Sequence, residues 1–143
     1  SIGLFALLLM FSLSVWERIS AILVGMHLSS SPVPEASLAW LFSPANIEFV
    51  IAFIALGAVV AAMVFTISVV SLPMLMDHQV DIVTAVMTSL WVVRENPLAM
   101  LVWAAAIVLL TGIGIATSFI GLVVIFPVLG HATWHAYREL VQQ

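Results

Sequence analysis

The sequence predicts an all-α polytopic membrane protein, a bundle of about four transmembrane helices with one amphipathic helix at the membrane interface. Of its 143 residues, 64% are hydrophobic and 7% are charged, and the mean hydropathy is +1.30. Soluble domains are about half apolar and about a quarter charged, so these few charged side chains could not cover a surface that faces water. We therefore expect residues 1–143 to form a single integral membrane domain in a lipid bilayer.

The charge balance and the lack of cysteine exclude several classes of function. Three Arg, no Lys and seven acidic residues give a formal net charge of -4. No basic stripe can neutralise nucleic-acid phosphates, so nucleic acid is not the partner. Without Cys there is no disulfide, thiol nucleophile or thiolate metal ligand. No phosphate-binding glycine loop or nucleophile elbow occurs either, and we expect no enzyme and no cofactor.

The first apolar run, Ser1–Leu28, predicts the first membrane span. At 1.5 Å per residue it is long enough to cross a hydrocarbon core of about 30 Å, although Glu17 and Arg18 interrupt it. The segment Ser29–Pro44 contains three Pro and a Ser cluster, which is typical of a loop. We expect that loop to carry a short interfacial turn around Trp40.

The second span is predicted from about Asn46 to Leu72. Ser43 can cap its N-terminus and Pro44 suits a first turn. Glu48 complements the positive end of the helix dipole. Pro73 is expected to end or kink this helix.

An amphipathic helix is predicted over about Val80–Glu95. Polar or amphipathic side chains recur at helical spacing along one arc, at Asp81, Thr84, Thr88, Trp91 and Glu95. Apolar side chains occupy the opposite arc, at Ile82, Val83, Val86, Met87, Leu90 and Val93. The helix is short for a span, so it is predicted to lie along the membrane interface. The alternative is a helix that covers the rest of the bundle.

The remaining apolar stretch is too long for one crossing and predicts two. The spans are placed at Pro97–Ile113 and Thr117–Tyr137. They are joined by a tight hairpin in which Gly112 and Gly114 supply backbone freedom. Pro127 is expected to kink the last helix.

Arginine positions predict the orientation of these spans. Arg94 lies between the second and third spans, and Arg138 follows the fourth. Positive residues favour the cytoplasmic side, so both segments are predicted to face the cytoplasm of a bacterial inner membrane.

The segment from His131 to Leu140, HATWHAYREL, contains candidate metal or haem ligands. His131, His135 and Arg138 fall within about 60° on a helical wheel. Two His at this spacing can bind one transition metal, or each can serve as an axial haem ligand. The zincin pattern needs a Glu after the first His, where this chain has Ala132. A polar cap at the membrane surface is the interpretation we favour.

Asp77, His78 and Asp81 follow the second span and form a candidate polar site. Histidine titrates near neutral pH and carboxylates are hard oxygen ligands, so the three could relay protons or bind a cation. In the simpler interpretation, which we favour, Asp81 caps the amphipathic helix while Asp77 and His78 form a solvated turn.

Glu17 and Arg18 are the ionisable residues nearest the middle of a predicted span. Neighbours in sequence point about 100° apart on a helix and cannot pair with one another, so each needs another partner or access to water. One possibility is that the span ends near Trp16 and the pair lies at the interface. If the pair is buried, Arg18 could meet Glu48 or a group elsewhere, and we predict a role in assembly.

Two stretches, SLPMLMD (Ser71–Asp77) and PVLGHATWH (Pro127–His135), resemble a proteobacterial family of predicted integral membrane proteins of unknown function. The resemblance is good over Val64–Leu140 and looser over Ser1–Val60. It implies about two further helices before Ser1. It transfers no activity and no catalytic residue.

Three functions fit these observations. The first is a non-catalytic accessory subunit that packs against other subunits of a larger membrane complex, such as one of a respiratory or photosynthetic electron-transport chain. Small residues suited to close helix contacts support it: Gly57, Ala61, Ala104 and Ala105. The second is a transporter or channel component whose polar path would be lined by Glu17, Arg18, Asp77 and His78. The third is a haem-binding electron-transfer protein that uses His131 and His135.

Overall fold

The computed structural model describes residues 2–30 and 42–141, and every regular element in those ranges is a helix. In chain order the helices are α1 (Ile2–Ser30), α2 (Ile47–Ser68), α3 (Ser71–Asp77), α4 (Ile82–Glu95), α5 (Pro97–Ala116) and α6 (Leu122–Val141). The predicted all-α membrane fold is confirmed. The interfacial turn predicted around Trp40 lies outside the described residues.

Three stretches of the described chain are long and apolar enough to cross a membrane. They are Ile2–Ser29, Ile47–Asp77 and Pro97–Ala116. These correspond to the first three of the four predicted crossings. The fourth, now seen as α6, is not among them, because its second half carries His, Arg and Glu side chains that make it more polar than the other three.

The chain divides into two compact units. The two-helix unit, Ala6–Val64, contains most of α1 and α2. The multi-helix unit contains Ser1–Phe5 and Phe65–Gln143. In the multi-helix unit, α3 packs against α4 and α6, and α5 packs against the same two helices. Its core is formed by Val70, Val92, Met100 and Tyr137.

The second predicted span is broken before Pro73 rather than at it. Helix α2 ends at Ser68 and α3 begins at Ser71, with a turn between them. A proline cannot donate to the carbonyl four residues earlier, and its ring clashes with that carbonyl. The helix therefore stops at the preceding turn, and Pro73 occupies the first turn of α3, where a missing N–H is tolerated.

Helix α4 packs through a face that the amphipathic pattern did not identify. Its buried residues are Ala85, Ser89 and Val92. These lie between the polar arc and the apolar arc on the helical wheel. The apolar arc is only partly covered, since Val83 is 71% and Met87 60% exposed while its other four residues are half-buried. The helix therefore rests on the unit by its smallest side chains and keeps an apolar face available to lipid, which suits an interfacial position.

The hairpin between α5 and α6 lies later than predicted, and Gly112 and Gly114 are not part of it. Helix α5 continues through both glycines to Ala116. The turn instead places Ser118 (φ 55°) and Phe119 (φ 69°) in the left-handed region. Gly114 serves packing, because a Cβ there would lie 2.2 Å from a methyl carbon of Leu122. Close approach of two helices, rather than backbone freedom, explains this glycine.

Candidate functional site

Asp77 is the centre of a polar junction that joins α3 to α6. The hydroxyl of Tyr137 donates a hydrogen bond to Asp77 Oδ2 at 3.1 Å. His78 Nε2 lies 3.4 Å from the same oxygen. Tyr137 is only 1% exposed, whereas the Asp77 side chain is 26% exposed and the His78 side chain 53%. Two of the three predicted polar residues are therefore brought together, with a tyrosine that the sequence did not single out.

Asp81, the third member of the predicted set, caps α4. Its Oδ2 accepts from the Thr84 backbone N–H at 3.0 Å, and its Oδ1 accepts from the Thr84 hydroxyl at 2.6 Å. The hydrogen bond from the Thr84 side chain, followed by the one from its backbone, lowers the pKa of Asp81 below the ordinary value of 3.8. This confirms the capping interpretation. Asp81 also lines an open hollow shared with Ile2, Leu75, His78, Gln79 and Val80.

Ser89 is a buried polar residue that the sequence analysis missed. Its hydroxyl donates to the carbonyl of Thr66 at 2.7 Å and accepts from the backbone N–H of Val70 at 3.2 Å. Both groups belong to the break between α2 and α3, where regular helical hydrogen bonding is interrupted. In hydrocarbon, broken helices persist only where neighbouring side chains satisfy the freed backbone groups. Ser89 performs this role for the break.

His131 and His135 both lie exposed on α6. His131 Nδ1 is 3.3 Å from the carbonyl oxygen of Pro127 in its own helix. Among the residues that the structure describes, no group of three His, Cys, Asp or Glu side chains could hold a metal ion. Arg138 is exposed as well, one position after the buried Tyr137. The polar face predicted for this helix is present at its surface.

Glu17 and Arg18 are both exposed near the middle of α1. Six of the half-buried residues of α1 mark the face that it directs at α2: Leu9, Ser12, Trp16, Ser20, Leu23 and His27. Two more, Val24 and Leu28, lie on the Glu17 side of the helix. At about 100° per residue, Arg18 lies opposite that face and Glu17 lies at its side. Among the residues that the structure describes, there is no ion pair between Arg18 and Glu48. The predicted contact between Arg18 and Glu48 is therefore not formed.

His27 anchors the end of α1 to the beginning of α2, a contact not predicted from the sequence. Its Nε2 is 2.9 Å from Asn46 Oδ1, and Asn46 Nδ2 donates to Ser43 Oγ at 2.8 Å. The imidazole also stacks on Phe49 with ring centroids 4.0 Å apart. Asn46 is only 3% exposed. His27 follows Arg18 by about two and a half helical turns, so this contact with the beginning of α2 is well separated from Arg18 along α1.

Comparison with known protein families gives one match to the chain. A family described as "Predicted integral membrane protein (DUF2189)" matches residues 1–77. The match includes SLPMLMD at its end and covers the half of the chain for which we expected the looser resemblance. The second resembling stretch, Pro127–His135, lies beyond it. No curated protein and no solved structure matches the chain.

Proposed function

The chain belongs to this family of predicted integral membrane proteins, and on that premise we propose that it is a non-catalytic accessory subunit packing laterally against a larger membrane complex. One observation carries the proposal. In the most apolar parts of the spans Ile2–Ser29 and Ile47–Asp77, none of the residues is buried within the chain itself. Long helices with uncovered faces are the surfaces through which membrane subunits associate.

The polar contacts support a structural role. Asp77 meets Tyr137, Ser89 satisfies the helix break, and Asp81 caps α4. In each case the polar group joins one helix to another or completes a helix end. A protein whose reactive side chains are used in this way is suited to holding a position in an assembly.

The small residues have two different uses. Gly57 accommodates Trp16 within the two-helix unit, because a Cβ there would lie 3.2 Å from the indole ring. Ala55 and Ala58, by contrast, are exposed on the side of α2 that faces away from α1. Small exposed residues let a neighbouring helix approach closely. This side of α2 is the surface we assign to the larger complex.

Co-purification from native membranes in mild detergent tests the proposal. We expect a tagged chain to recover other membrane proteins in fixed ratio, with respiratory and photosynthetic complexes as the first to be sought. Ala55→Trp should reduce that recovery, whereas the matched change Ala116→Trp on the exposed surface of α5 should not. Recovery of this chain alone, together with solute or ion movement in reconstituted vesicles, would replace the subunit proposal with transport.

We further propose the bacterial inner membrane as the location, with the segment around Arg94 in the cytoplasm. Because the chain has no Cys, single cysteines at Ser29 and Asn96 would be the sole targets of a thiol reagent. The span Ile47–Asp77 separates these two positions. We expect a membrane-impermeant reagent to label them from opposite sides. Labelling of both from the same side would contradict the topology.

A further inference from the structure

We propose that α1 is a dimerisation helix whose arc between Glu17 and Arg18 docks in parallel against the same arc of a second copy. In that pair, Glu17 of each copy faces Arg18 of the other. The inference goes beyond the proposed function, because it names a second copy of this chain as a neighbour and does not require the larger complex.

Glu17 and Arg18 lie on α1 outside the face that packs on α2. Trp16 packs on α2, with its ring 5.5 Å from that of Phe53 and its indole close to Gly57. Arg18 lies about 200° around the helix from Trp16, and Glu17 about 100°. Arg18 is therefore directed away from α2 and Glu17 lies to its side, and both are exposed. Among the described residues, the two-helix unit contains no third helix that could contact these two charges.

Glu17 and Arg18 also lie far from both ends of the candidate membrane span. About 22 Å of α1 precedes Glu17 and about 18 Å follows Arg18, so the pair lies near the centre of the described helix. The candidate span Ile2–Ser29 encloses both residues. A charge at that depth is costly unless it is paired or reaches water. An opposite charge supplied at the same depth removes much of that cost.

The arc between the two charges is open, and small residues line it from Ser14 to Gly25, with Leu7 and Met10 extending it toward the start of α1. Ser14, Ala21 and Gly25 all fall between Glu17 and Arg18 on the helical wheel, and all three are exposed. Nothing lies within 4 Å of the position that a Cβ on Gly25 would take. Ala21 and Gly25 are four residues apart, the spacing that allows two membrane helices to approach closely.

The positions of Glu17 and Arg18 on either side of the arc favour a second copy of the chain as the partner that docks there. Two copies in one membrane share their orientation, so a two-fold dimer places α1 beside α1 in parallel. Rotation by 180° brings the Glu17 side of one helix opposite the Arg18 side of the other, as flanking charges do in parallel coiled coils. The contact forms twice, and the paired residues differ in height by about 1.5 Å. The chain itself therefore supplies both charges at the required depth.

Cysteine cross-linking in intact membranes tests the docking face directly. The chain contains no Cys, so each introduced cysteine reports one position. We expect Ala21→Cys to form disulfide-linked dimers readily, and Ser20→Cys, on the side that packs toward α2, to form on the order of tenfold less. Equal cross-linking at the two positions, or none at Ala21, would overturn the proposal without bearing on whether other proteins co-purify.

Exchange of the charges tests the pairing in the same Ala21→Cys background. Arg18→Glu alone places four acids at the contact and should lower dimer formation on the order of tenfold. The double exchange Glu17→Arg with Arg18→Glu should restore it, because the two-fold symmetry recreates both pairs. Restoration supports the proposal even where the single variant lowers abundance. Unchanged cross-linking in Arg18→Glu, or failure of the double exchange to restore it, would overturn the pairing.

Discussion

The two units of the molecule differ in the contacts that join their helices. In the multi-helix unit, buried polar groups join the helices: Ser89 is fully buried, and Tyr137 is 1% exposed with its hydroxyl on Asp77. In the two-helix unit the strongest charges, Glu17 and Arg18, are outside. Its internal contacts are mainly aromatic, such as Trp16 with Phe53. Buried polar contacts join helices in the multi-helix unit, whereas the two-helix unit is joined by aromatic contacts and by the contact of His27 with Asn46, and it leaves Glu17 and Arg18 exposed.

The difference follows from what lipid permits. Lipid tails are as apolar as leucine side chains, so apolar residues gain little by moving from lipid into a protein interior. Helices in a membrane are therefore held in place by hydrogen bonds, close packing of small residues and paired charges. The multi-helix unit forms such contacts within the chain. The two-helix unit has fewer of them, and its exposed charges are the basis of the dimer proposed above.

The largest expected effect is the loss of Tyr137. Tyr137→Ala removes a fully buried ring from the core and should destabilise the protein by about 3–5 kcal/mol. Tyr137→Phe keeps the ring and removes only the hydrogen bond to Asp77, which is worth about 1 kcal/mol. Unfolding in mixed micelles measures both. An effect of Tyr137→Ala no larger than that of Tyr137→Phe would contradict the core position assigned to this ring.

Ser89→Ala should have the next largest effect, about 1–2 kcal/mol, because it leaves the Val70 N–H buried without its acceptor. The matched substitution in the two-helix unit is Ser12→Ala. The Ser12 hydroxyl donates only to the Leu8 carbonyl in its own helix, so its removal should be nearly silent. Thermal unfolding of the two variants tests the contrast between the units. Equal shifts in melting temperature for the two variants would contradict the contrast between the units.

His27→Ala tests the main polar contact inside the two-helix unit. It removes both the contact with Asn46 and the stack on Phe49, at a cost of about 1 kcal/mol. We expect faster proteolysis after α1 with little change in the stability of the multi-helix unit. His27→Gln, which retains a hydrogen-bonding group, should recover part of the loss. A large loss of stability across both units would show that they unfold as one.

The smallest expected effect concerns pH and Asp81. Its pKa is lowered in the folded protein, so the stability it contributes is fully present above 3.8, the ordinary Asp value, and is lost as pH falls through the folded value. Asp81→Asn retains an acceptor for the Thr84 N–H but cannot titrate. Melting curves at about pH 3 and about pH 6 should therefore differ less in Asp81→Asn than in the wild type. Equal pH dependence would exclude this carboxylate as the titrating group.

Local chemistry was sufficient to predict most helix boundaries. Pro97 begins α5, Asp81 caps α4, and Glu48 lies in the first turn of α2, all as the sequence indicated. Each of these features depends on residues within one or two turns. The all-helical membrane fold follows from composition and from the length of the apolar runs, because a long apolar helix satisfies each of its backbone polar groups within one segment in hydrocarbon.

Only the tertiary structure decided which faces meet. Tyr137 and Asp77 are 60 positions apart, and Ser89 lies 23 positions from Thr66, so no local spacing links them. Gly114 was expected to bend a turn, yet it makes room for Leu122 of the next helix. In a soluble protein, apolar periodicity would have identified the buried face of each helix. Here lipid and protein interior are alike to an apolar side chain, so the apolar runs predicted the helices but could not decide their contacts.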